Sequence, residues 1–170
     1  MLKPILILCL GNEVLSDDAF GPTIAKTLIQ RQREDDHVEV IFAPVAGFSL
    51  LDLLSGRDKA LIIDSIVTGK EPAGTLHYFP LGDLTPSRNL TTSHQMSLPT
   101  AMELGRQMGY QMPEQIDVLA VEVADVTTLN EEMTEPIKAA VAPAIVRIDK
   151  WLFNNRIRET NVNRRTQVAL

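Results

Sequence analysis

The chain has 170 residues, 45% of them hydrophobic and 22% charged, with a formal charge of −6. That length predicts a single domain able to bury a real core. The basic residues gather on no one predicted helix, so the cationic footprint required by a nucleic-acid partner is missing.

The run from Pro4 to Leu10 is apolar throughout its Ile5–Leu10 part, which suits a strand buried on both faces. Cys9 lies in this run and is the only cysteine, so no internal disulfide can form and a reducing compartment is expected. It reads as a small buried strand residue, not as a nucleophile. The run follows Lys3, yet it is short for a secretory signal. Asp17 and Asp18 follow it where a cleavage site would carry small residues. No stretch approaches the length of a membrane span. A cytosolic monomer is expected.

The polar loop Gly11 to Gly21 leads into a helix opening at Pro22, with Ile24, Ala25, Leu28 and Ile29 at helical spacing. Val38 to Ala43 predicts a short strand and Gly47 to Leu54 a short helix. Ala60 to Ile66 is another apolar strand, with Asp64 near its end. Thr75 to Phe79, bracketed by Gly74 and Pro80 and broken by His77, predicts an edge strand. Beyond the polar loop Thr85 to Ser93 come a helix over Leu98 to Met108 and a buried strand over Ile116 to Val123.

The last long helix runs from about Glu131 to Phe153. Met133, Ile137, Ala140, Val141, Ala144, Ile145, Ile148 and Leu152 form one apolar stripe on it. Pro143 should kink or divide this helix. Residues 154–170 are polar and basic and read as a flexible tail on a domain of residues 1–153. The alternation of elements predicts an α/β fold. It would be one doubly wound, mostly parallel sheet with helices on both faces and an antiparallel edge strand.

Ligands of such sheets bind beyond the carboxyl ends of the strands, near the point where strand order reverses. That rule selects Asn12, Asp17 and Asp18 after the first strand, Asp64 on the third, and Glu122 and Asp125 after the last. His94 joins them from a polar loop leading into a helix. A dinucleotide loop is rejected: Glu13 and Ser16 stand where its glycines belong, and two acids would repel a pyrophosphate. Helix capping is the bland alternative for Asp17 and Asp18. Asp64 is less easily dismissed, because an unpaired carboxylate at an apolar strand end is costly. Two carboxylates and one imidazole would suit a borderline divalent ion such as nickel or zinc.

The chain resembles the hydrogenase maturation endopeptidases. The resemblance rests on Gly11 to Pro22 (Gly-Asn-x-x-x-x-Asp-Asp-x-x-Gly-Pro), the Ile-Ile-Asp strand end at Asp64, Ser93 to Met96 (Ser-His-Gln-Met), and Val121-Glu122-Val123 before the final helix. Ala19 departs from the glycine that many relatives carry. The resemblance implies an aspartic-type or metal-assisted cut that removes a C-terminal extension from the precursor of the nickel–iron hydrogenase large subunit. It also implies Asp18, Asp64 and His94 as metal ligands and catalytic residues, with Gly11, Asn12 and Asp17 shaping a substrate loop. The implied metal is nickel carried by the substrate, for which zinc or another divalent ion could substitute. A nickel-binding chaperone that docks on the precursor without cutting it is the alternative.

Overall fold

A computed structural model describes residues 2–31, 36–44, 49–83, 98–124 and 132–168, with side chains described as far as Arg156. Strands β1 (Ile5–Cys9), β2 (Val38–Phe42), β3 (Lys59–Ile66), β4 (Leu76–Pro80) and β5 (Gln115–Glu122) form a five-stranded sheet in the order β2-β1-β3-β5-β4. The first two pairings and β3–β5 are parallel, with Ile63 opposite both Cys9 and Leu119. β4 runs antiparallel at the edge, Tyr78 opposite Leu119. The expected edge strand is therefore observed. Pro80 closes it where a missing N–H matters least.

Alternation along the strands divides the core into two layers. Ile5, Ile7, Cys9, Leu61, Ile63, Leu119 and Val121 face helices α1 (Phe20–Arg31) and α4 (Glu135–Val168). Leu6, Leu8, Ala60, Ile62, Val118 and Ala120 face α2 (Ser49–Leu54) and α3 (Leu98–Gln107). Both faces are covered, which is why the strands read as continuous apolar runs. Cys9 is fully buried, and that burial pushes its thiol well above the ordinary range, as fits a core residue.

Two expectations need revision along α4. Pro143 does not divide the helix, because it lies on the exposed face beside exposed Ala139, whose carbonyl loses its intrahelical donor where water can replace it. The helix also passes the expected boundary at Phe153 without a break. Asn155, assigned to the tail, is buried, and its carbonyl accepts a hydrogen bond from Lys59 Nζ at 3.1 Å. Among the described residues no helix is long and apolar enough to cross a membrane.

Candidate active site

Strand order reverses between β1 and β3: from β1 the chain first adds β2 on one side, then β3 on the other. The loop after β1 closes back over this point. Gly11 (φ +133°) packs against the Asp18 carbonyl, which would lie 2.2 Å from any Cβ there. Gly21 presses on Leu10, whose carbonyl oxygen would be 1.8 Å from an added Cβ. The two glycines thus let the loop fold flat on the end of β1. Asn12 Oδ1 accepts from the Val14 amide at 3.1 Å, and the Asn12 amide donates to the Asp18 carbonyl at 3.2 Å. These bonds close the loop as a local turn.

A short 3₁₀ turn (Ser16–Ala19) follows, entered through Ser16 at φ +24°, an uncommon backbone state for a side chain that is not glycine. The turn presents two buried acids in different directions. Asp17 does not cap the helix that follows it. Its Oδ1 accepts from the Thr134 amide at 2.7 Å and its Oδ2 from the Thr134 hydroxyl at 3.1 Å, at the start of α4. Asp18 turns toward β3, where its Oδ1 accepts from the Ser65 hydroxyl at 2.6 Å.

Asp64 lies beside that hydroxyl in sequence. It has 0% exposure, and its Oδ1 accepts from the Ser65 amide at 2.8 Å. Asp18 and Asp64 are therefore brought to one residue at the carboxyl edge, at the reversal point where the sheet rule places a ligand. Buried carboxylates are costly unless hydrogen-bonded or paired with a cation. Carboxylate oxygens are the donor type that divalent cations of this class accept. His94 and Asp125 lie outside the described residues. Among the described residues no three His, Cys, Asp or Glu side chains form a group able to hold a metal.

The family profile described as HycI, hydrogenase maturation protease, matches residues 22–151, a span that includes Asp64 and His94. The chain belongs to the hydrogenase maturation protease family. The protease is 28% identical over 145 residues to the Hydrogenase 2 maturation protease of Escherichia coli (strain K12), covering 85% of this chain and 87% of that one. It is also 28% identical over 150 residues to the Coenzyme F420 hydrogenase subunit delta of Methanothermobacter thermautotrophicus, covering 83% and 89%. The fold matches the hydrogenase maturating endopeptidase HybD from E. coli with a TM-score of 0.74 and 26% identity, over 91% of this chain and 94% of that one.

Glu122, also selected by the strand-end rule, is committed elsewhere in the protease. It accepts from the Thr68 amide and hydroxyl, both at 2.8 Å, and from the Gly69 amide at 2.9 Å, with His77 Nε2 at 3.0 Å. Burial opposes its charge, but the hydrogen bonds from Thr68, Gly69 and His77 outweigh that and hold the carboxyl below its usual range. The cluster clasps the β3–β4 connection to the end of β5. A cleft of about 310 Å³ lies at the opposite end of β5, lined by Pro80, Met102, Arg106 and Asp117 among others. It is remote from Asp18 and Asp64, and Asp117 is already bound to Gln115 and Trp151.

Ser65 was not selected from the sequence. Its signal was present, however. In a strand, the residue after a strand-end acid points to the opposite face, and a hydroxyl there is out of place in an otherwise apolar run.

Proposed function

We propose that this protease removes a C-terminal extension from the precursor of the nickel–iron hydrogenase large subunit after nickel has been inserted. Asp18, Asp64 and His94 would recognise that substrate-borne nickel. The observation that carries this reading is the meeting of Asp18 and Asp64 at Ser65, at the reversal point of the sheet, in a member of this family. Two carboxylates and an imidazole make an open donor set that leaves positions for ligands from the precursor. Nickel held there would supply Lewis-acid chemistry, either to the scissile carbonyl or to a water. Gly11 and Asn12 hold the loop that carries Asp18, and Asp17 anchors that loop to α4.

A two-by-two assay tests the proposal, with protease and precursor each prepared with and without metal and the product mass measured. Metal-free protease should truncate nickel-loaded precursor and leave the nickel-free form intact. Cleavage of nickel-free precursor by zinc-loaded protease would make the metal an ordinary catalytic cofactor. Binding of loaded precursor without truncation would identify a chaperone instead.

A further inference from the structure

We infer that Ser65 is a positioning residue that sets how Asp18 and Asp64 stand relative to each other. This rests on the reading that the two carboxylates act together. Asp18 and Asp64 come from segments 46 residues apart, one on a turn and the other within a strand. Ile63 packs in the layer facing α1 and α4, while Ile62 and Ile66 pack in the layer facing α2 and α3. Alternation therefore directs the Ser65 side chain to the α1 face and that of Asp64 to the other.

Ser65 bridges this separation with two groups of one residue. Its hydroxyl donates to Asp18 Oδ1 at 2.6 Å, and its amide donates to Asp64 Oδ1 at 2.8 Å. The distance between the two donors is set by the covalent geometry of a single serine, which is 1% exposed in the packed edge of β3. The Asp18 backbone is held as well, its amide donating to the Leu15 carbonyl at 2.7 Å and its carbonyl accepting from Asn12. The hydroxyl thus acts on the orientation of the Asp18 side chain, on a loop that is already in place. A short hydrogen bond to a carboxylate is directional and strong enough to select one orientation.

Substitution separates the two bonds. Ser65→Ala removes the hydroxyl and keeps the amide, so Asp64 retains its donor while Asp18 loses one. Ser65→Thr restores a hydroxyl on a side chain suited to a strand. The experiment is calorimetric titration of the full chain with Ni²⁺ alone, paired with kcat/KM on nickel-loaded precursor. Both are measured where circular dichroism shows every variant folded. Ser65→Ala should weaken Ni²⁺ binding about 10–100-fold, the range for losing an outer hydrogen-bond partner of a metal ligand. Ser65→Thr should bind close to wild type. In an Asp18→Ala background Ser65→Ala should have little further effect, because the two act through one bond.

If wild type binds Ni²⁺ and Ser65→Ala binds it equally well, the positioning role is overturned while the nickel reading stands. If wild type does not bind free Ni²⁺, the nickel reading rests on the comparison of nickel-loaded with nickel-free precursor, and kcat/KM decides for Ser65. A loss in Ser65→Ala recovered by Ser65→Thr supports positioning of the carboxylates for another mechanism, and an unchanged kcat/KM overturns it.

Discussion

The carboxylate of Asp17 holds Thr134 by both its amide and its hydroxyl, at 2.7 and 3.1 Å, across 117 residues of sequence. Thr134 immediately precedes α4, and its carbonyl accepts from Ile137 and Lys138 in the first turn. Asp17 thereby fixes the start of the longest helix against the loop that carries Asp18.

Asp17→Ala should destabilise the protein by about 1–2 kcal/mol, the effect of removing the acceptor that the part-buried Thr134 amide and its hydroxyl use at the start of α4. Asp17→Asn keeps one acceptor oxygen and should cost less. Urea midpoints of the three proteins check this. Equal midpoints for wild type and Asp17→Ala would show that the Thr134 contact contributes nothing to stability.

Gly21→Ala should be among the most damaging small substitutions available. The added Cβ meets the backbone of Leu10, which cannot rotate away as a side chain could. A cost of about 3 kcal/mol, at the upper end for overpacking, is expected. Gly82→Ala is the control, since nothing lies within 4 Å of its Cβ position. Thermal melts should separate the two clearly, and similar Tm values would contradict the close approach at Leu10.

Glu122 makes stability depend on acid. Its carboxyl is lowered in the folded state, so the stabilisation it provides is fully present above the unfolded value, about 4.3, and is lost as pH falls through the folded value. Glu122→Gln keeps an acceptor for the Thr68 and Gly69 amides but turns a donor toward the Thr68 hydroxyl and His77, and should cost about 1–3 kcal/mol at neutral pH. The gap between wild type and Glu122→Gln should narrow as pH is lowered from about 5 toward 3. A gap that stays constant over that range would show that the charge of Glu122 is not involved.

The end of the folded unit can be located by truncation. Ending the chain after Phe153 removes buried Asn155 and the carbonyl bound by Lys59. Asn155 Oδ1 has no partner among the described residues, so the cost should fall in the lower part of roughly 0.5–3 kcal/mol. Ending it after Arg156 keeps both features and should leave the denaturant midpoint near that of the full chain. Equal midpoints for the two truncations would place the boundary back at Phe153.

The sequence by itself determined the class of fold and the order of its elements. Apolar runs such as Ile5–Leu10, the helical stripe from Ile137 to Leu152 and the bracketed edge strand are local patterns with periods of two or 3.6 residues, legible without neighbours. The positions of Asp18 and Asp64 at the carboxyl edge of the sheet were legible too, because following or nearing the end of an apolar run is a local fact. Only the tertiary structure decided what each acid holds. Asp17 reaches Thr134, Asp18 reaches Ser65, and Glu122 is taken by Thr68, Gly69 and His77. These partners are chosen by strand order and by how closely Gly11 and Gly21 let the first loop approach the sheet. A hydrogen bond needs its two atoms within about 3 Å, and that proximity is a property of the closed chain, which no residue pattern along it encodes.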